Sequence, residues 1–437
     1  MEWQFALLII MGSLVILLIS GLPVAVGFML VNIIGVYLFW GGQIGLLQLT
    51  SSTFDSVTTF AMLPIPMFIL MGEVLFHSGM APRIIDAVDK WLGRLPGSLG
   101  LVAVGSGTIF ATLTGHSMSS VALMGSVMTP EMEKRGYKKE MSLGPILGSG
   151  GLAMMIPPSG LGVLLGALAQ ISIGKILIGI IIPGILMAIL YTAYIIFRCK
   201  LQPSIAPVYM APQISLVDKI MSTIRHILPV GIILFLVVGV IFIGVATPTE
   251  AAATGAIGVF ALAAAWGKLN RSVLKKSITG TISITVMIFM ILVAAKAFSQ
   301  ILIFSGATEG LINVILGFSV SPIFILIGMQ LIIFALGAFM ENLSIMMLTL
   351  PLFIPIVRAL GFNEIWFAVI YMLNMEMAST TPPFGLTLFA MKGVAPPDTT
   401  MGDLYKAGLP FLGCDLIALV LIIAFPVIAL WLPGISV

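Results

Sequence analysis

Around Pro157-Pro158 and again around Pro382-Pro383, the chain carries the same polar, helix-breaking passage inside otherwise apolar sequence. A shift of 225 positions lays the first copy on the second without a gap. It sets Pro130 on Pro355, Gly136 on Gly361, Ala153 on Ala378, the Pro pairs on each other, Gly160 on Gly385 and Leu161 on Leu386. The same shift sets Gly115-His116-Ser117-Met118-Ser119 on Met340-Glu341-Asn342-Leu343-Ser344, two more polar interruptions. Taken singly, a Pro pair kinks a helix and a Gly/Ser run lets helices approach closely. Four such sites paired by one shift argue for two repeats whose broken segments build a shared site, the pattern of a chain that moves a solute through a membrane.

Hydrophobic residues make up 59% of the sequence and charged residues 8%, with a mean hydropathy of +1.19. A water-exposed surface needs far more charge, which excludes a soluble domain. Runs of about twenty apolar residues, enough to cross roughly 30 Å of hydrocarbon, recur along the chain. The first starts after Met1-Glu2 with no basic stretch and no small-residue cleavage site, so it reads as a retained span. The net charge of +3 says little, because placement matters more than the sum. Cys199 and Cys414 form neither a disulfide framework nor a metal spacing. His77, His116 and His226 are scattered, and no Gly-rich phosphate loop with its Lys is present, so direct use of ATP is not expected.

Stretches at 3–20, 22–40, 46–77, 141–172, 176–197, 226–246, 248–266, 277–305, 365–391 and 408–432 read as ten crossings. Two others, 97–129 and 322–355, are interrupted midway by small and polar residues. Basic clusters at Arg83/Lys90/Arg94, Lys134/Arg135/Lys138/Lys139, Arg198/Lys200/Lys219/Arg225, Lys268/Arg271/Lys275/Lys276 and Lys392/Lys406 are expected on the cytoplasmic face. The first two flank 97–129, making it a re-entrant hairpin from inside; 322–355 then enters from outside, and both termini lie outside. The expected fold is an all-α polytopic membrane protein of two inverted repeats, each with a re-entrant hairpin and a Pro-Pro-broken helix, working as an elevator-type transporter. Its parts are scaffold helices at 1–77, a first transport repeat at 78–175, central scaffold and linker at 176–305, a second transport repeat at 306–405 and a C-terminal helix at 406–437. The amphipathic segment 82–95 is expected along the cytoplasmic interface, anchored by Trp91 and Arg94, with 309–318 as its outer counterpart. Residues 201–225, with three prolines, read as the linker between halves.

Each Pro removes one donor and frees carbonyl oxygens, and hard cations prefer oxygen ligands. A Ser/Asn/Gly-rich tip facing a Pro-Pro break can therefore cage a cation, while converging helix N-termini favour an anionic solute. Glu73, Lys296, Glu341 and Glu376 fall inside spans or hairpins, where an ionised group costs at least ~2.5 kcal/mol. For Glu73, Lys296 and Glu376 a functional role and an internal ion pair or hydrogen bond both stay open. Glu341 and His116 occupy equivalent tip positions. Thr247-Pro248-Thr249-Glu250 is expected to be a helix-capping box with Pro at the first helical position. Asp55 and Asp415 have no partner visible in the sequence.

The tip run Gly115-His116-Ser117-Met118-Ser119-Ser120-Val121-Ala122, the Met154-Met155-Ile156-Pro157-Pro158-Ser159-Gly160 break, Thr247-Pro248-Thr249-Glu250-Ala251-Ala252-Ala253 and Thr380-Thr381-Pro382-Pro383-Phe384-Gly385 carry a resemblance. In that order, and nearly end to end, the chain resembles the large membrane subunit of tripartite ATP-independent periplasmic (TRAP) transporters. It is more distantly similar to the divalent-anion/sodium symporters, from which it departs with tips reading Ser117-Met118-Ser119 and Asn342-Leu343-Ser344. The TRAP resemblance implies a sodium-coupled elevator in the bacterial inner membrane, braced by a small four-helix membrane subunit as a separate chain. A soluble periplasmic binding protein would deliver an organic acid. It also implies two Na+ sites, one at Gly115, Ser117, Ser119, Gly151, Ile156 and Pro158, the other at Asn342, Ser344, Thr380, Thr381 and Pro383. His116, Ser159, Glu341, Phe384 and Lys296 are the candidates for lining the solute cavity. A self-sufficient anion/sodium symporter is the alternative of the same class. A membrane enzyme would need clustered intramembrane His and acidic residues, and a channel explains closed, inverted hairpins less well.

Overall fold

A segment that must satisfy every backbone donor and acceptor away from water has one solution by itself, the α-helix. The computed structural model describes residues 2–59, 62–92, 95–114, 117–207, 214–317, 319–383 and 385–436, and among them there are helices and turns but no strand. Among the described residues six helices are long and apolar enough to cross a membrane: Ile173–Leu201, Leu216–Phe242, Pro248–Ala265, Arg271–Phe304, Asn342–Ala359 and Met401–Ala424. Two bent pairs raise the number to eight. Shorter apolar helices, including Trp3–Ile19 and Val24–Phe39, complete the set.

The 225-residue shift holds for the helices themselves. It carries Ser117–Lys134 onto Asn342–Ala359 and Lys139–Met155 onto Glu364–Thr380, end for end. The first hairpin is Ser98–Thr114 with Ser117–Lys134, and both arms pack on Lys139–Met155; the second is Pro322–Gly337 with Asn342–Ala359, packed on Glu364–Thr380. Met401–Ala424 packs on both broken helices and Ile181–Leu201 on Lys139–Met155. As a result Lys139–Met155 is buried from Met141 to Met155, and Glu364–Thr380 from Trp366 to Thr380. A second group forms where Arg271–Phe304 packs against Val24–Phe39, Gln43–Thr58 and Pro64–His77. It meets the first group through Pro64–His77 and Asn342–Ala359.

Several expected crossings are divided. Residues 46–77 form two helices, Gln43–Thr58 and Pro64–His77, because Pro64 opens the second helix and Pro66 follows it. Neither proline can donate back to a preceding turn. The shifted counterparts of these prolines are Phe289 and Ile291, and there Arg271–Phe304 runs unbroken for 34 residues. Residues 408–432 likewise divide, Met401–Ala424 giving way at Pro426 to Val427–Ile435. The linker is shorter than expected, since helix resumes at Leu216.

The capping box is present: Thr247 N–H donates to Glu250 Oε2 at 2.8 Å, Glu250 N–H donates to Thr247 Oγ1 at 3.3 Å, and Pro248 stands at the first position. The amphipathic segment is the helix Ala81–Leu92, bent 76° from the helix before it, with Ile84, Ala87 and Val88 buried on one face. Trp91 Nε1 donates to Thr223 Oγ1 at 2.9 Å. Its anchoring partner in the sequence reading, Arg94, lies outside the described residues. The counterpart helix is Ala307–Gly317.

Candidate functional site

The two breaks have the same local form. Lys139–Met155 ends as Ile156 turns extended, Glu364–Thr380 ends as Thr381 does, and the Pro157-Pro158 and Pro382-Pro383 bonds are both cis. After the first break Ser159 accepts from Gly162 N–H at 3.2 Å and caps Gly160–Ala169. After the second, Gly385 stands where an added Cβ would lie 2.6 Å from the Ser379 carbonyl oxygen and 2.8 Å from that of Thr381. Glycine there lets the chain approach freed carbonyls closely.

Between tips and breaks lies a void of about 20 Å³, bordered by Ser117, Met118, Met154, Leu161, Glu341, Asn342, Leu343, Ser379, Leu386 and Thr387. A space of that size holds one water-sized particle. Its walls pair off under the 225-residue shift: Ser117 with Asn342, Met118 with Leu343, Met154 with Ser379, and Leu161 with Leu386. Four pairs of equivalent residues thus border a single void.

Glu376 enters this junction from the second broken helix. It is buried, accepts from Ser117 Oγ at 3.0 Å and from Ser379 Oγ at 3.4 Å, and lies against Gly151 of the first broken helix. A Cβ on Gly151 would fall 2.5 Å from the Glu376 Cδ. The same shift carries Gly151 onto Glu376, so the two touching residues are each other's equivalents.

The other expected site residues distribute around this centre. Ser119 and Pro158 border a second cavity of about 60 Å³ together with Glu73, Gly160, Ile288 and Leu343. Glu73 is 3.2 Å from His77 Nε2, the internal pairing left open by the sequence. Ile156, Asn342, Ser344, Thr380 and Thr381 are buried. The hydroxyls of Thr380 and Thr381 donate to the Met377 carbonyl at 3.0 and 2.6 Å, leaving oxygen lone pairs free. Pro383 is exposed, and its carbonyl accepts from Tyr405 at 2.8 Å. Gly115, His116 and Phe384 lie outside the described residues.

Lys296 borders a cavity of about 860 Å³ between Arg271–Phe304 and the second arm of the second hairpin. Gln300, Ser172, Thr249 and Arg358 share its wall, and no carboxylate does among the described residues. Arg358 is bound to Glu364 at 2.8 and 3.1 Å, whereas Lys296 has no acidic group within 4 Å among the described residues. Sequence reading did not find this cavity, whose wall is drawn from five separate stretches.

A family model described as "Tripartite ATP-independent periplasmic transporter, DctM component" matches residues 11–428. The chain is 30% identical to the C4-dicarboxylate TRAP transporter large permease protein DctM of Pseudomonas aeruginosa over 390 residues, 89% of each chain. It is 26% identical to the ectoine TRAP transporter large permease protein TeaC of Halomonas elongata over 425 residues, covering 97% of this chain and 98% of that one. Among solved structures it is similar to the Alcanivorax borkumensis YdaH transporter, with a TM-score of 0.66, 13% identity and coverage of 90% and 91%. At that identity the likeness is one of fold.

Proposed function

Because this chain belongs to the DctM-component family of tripartite ATP-independent periplasmic transporters, we propose that it carries an organic acid inward in symport with sodium. It is a multi-pass membrane permease of that family and not an enzyme. In this reading it sits in the bacterial inner membrane, works beside a small four-helix membrane subunit, and receives its solute from a periplasmic binding protein.

The observation that carries the solute class is Lys296. The relatives' names include a dicarboxylate carrier and an ectoine carrier, so membership of the family leaves the charge of the solute open. A cavity of about 860 Å³ that, among the described residues, carries a cation without an acidic partner and no acid on its wall favours an anion. The junction also suits sodium: its polar wall is oxygen-rich, from Ser117, Ser379, Thr387, Glu341 and Asn342. No group of His, Cys and acidic side chains suited to a transition metal occurs among the described residues. In that role Ser117, Asn342 and the carbonyls freed at the breaks hold the ion, while Lys296 draws the carboxylate.

In proteoliposomes containing the small subunit and loaded binding protein, solute should accumulate only under an inward sodium gradient. Lys296→Gln should raise the half-saturating solute roughly thirtyfold, the loss of one charge-assisted hydrogen bond of about 2 kcal/mol. Equal accumulation with and without the gradient would sink the symport reading, and an unchanged Lys296→Gln would sink the anion site.

The facing of equivalent residues supports inverted repeats that move as one body against the group around Arg271–Phe304, an elevator. Cysteines at Lys138 and Asn363 should then label from opposite sides of the membrane. A cross-link between cysteines at Ile288 and Leu343, which border one cavity across the two bodies, should stop uptake. Labelling from one side excludes the inversion, and normal uptake by the cross-linked protein excludes the elevator.

A further inference from the structure

We propose that Glu376 is itself a sodium ligand, a carboxylate lent by the second repeat to the cage formed by the first. The proposal rests on reading the tips and breaks as sodium cages and adds a charged ligand that neither motif contains. Glu376 meets two of the first cage's members: Ser117 Oγ lies 3.0 Å from its Oε2, and its side chain is seated on Gly151. The glycine is what admits it, since any side chain at 151 would occupy the same space.

Among the described residues the carboxylate has no counter-charge. Its side-chain partners among the described residues are the hydroxyls of Ser117 and Ser379, and no Lys, Arg or His there lies within ion-pair distance. Hydroxyl donors satisfy hydrogen bonds but bring no positive charge, and a buried acid left uncompensated at membrane depth is disfavoured. The void of about 20 Å³ beside Ser117 and Ser379 offers room for a small ion without repacking. Ser117 Oγ has two lone pairs, so turning its hydrogen away from Glu376 presents both oxygens to one cation.

One consequence concerns charge. With sodium bound, the charge of Glu376 is neutralised as the core moves.

The test is a sodium titration of the purified complex with its small subunit at constant ionic strength, choline replacing sodium, read as the rise in Tm. Glu376→Gln, nearly isosteric, should raise the half-saturating sodium at least tenfold, and Glu376→Asp should fall between it and wild type. If Glu376→Gln lowers Tm equally at every sodium concentration and leaves the midpoint unchanged, the carboxylate is only a structural group and the proposal is overturned. If the wild-type complex itself shows no response to sodium, the cages fail first and the proposal fails with them.

Discussion

Gly151→Ala should cost about 2–6 kcal/mol of stability and remove sodium-driven uptake. The added carbon would lie 2.5 Å from the Glu376 Cδ, in a helix buried without interruption from Met141 to Met155. Overpacking an interior of this density costs about 1–3 kcal/mol. Pushing the carboxylate off Ser117 leaves a buried acceptor unpaired, a further 1–3 kcal/mol or so. Gly413 supplies the control, because a Cβ there meets nothing within 4 Å. Gly413→Ala should be neutral or slightly stabilising, as expected for glycine in an open helix position. Thermal midpoints and uptake of the two variants decide the matter; equal behaviour would mean that Glu376 is not seated on Gly151.

Tyr191→Phe should be the next most damaging change, at about 1–3 kcal/mol, the cost of leaving a buried acceptor unpaired. Tyr191 in Ile181–Leu201 donates to Asp415 in Met401–Ala424, both side chains are buried, and the Tyr191 ring meets Phe411 edge-on at 5.4 Å. Asp415→Asn keeps an acceptor oxygen and should cost less than about 1 kcal/mol. In denaturation of the pair and its singles, a coupling energy near zero would show that the hydroxyl and carboxyl act independently.

These two contacts mark the limit of what the sequence discloses. Breaks at Pro157-Pro158 and Pro382-Pro383, the capping box at Thr247 and the equivalence of the two halves are written in local chemistry, because Pro, Gly and Thr impose their geometry on neighbours. The division of 46–77 was legible in principle from Pro64 and Pro66, but the apolar run around them masks it. Glu376 could be recognised as buried and charged, yet its seat on Gly151 depends on how two segments 225 residues apart are brought together. Shift and burial together would have found it, since Gly151 stands at the equivalent position. Asp415 needed Tyr191, and Lys296 needed a cavity wall, for the same reason: partners distant in sequence carry no local signature.

The meeting of Gly151 with Glu376 also bears on why both halves reside in a single polypeptide. Were the molecule an assembly of two identical half-length chains, whatever residue stood at this position would confront its own copy. Two glycines would leave a gap, and two glutamates would bring like charges together in a space that admits one side chain. Joined halves are free to differ, so one can supply the acid and the other the room for it. An acid set against a glycine at equivalent positions is therefore something that two identical half-length chains could not supply.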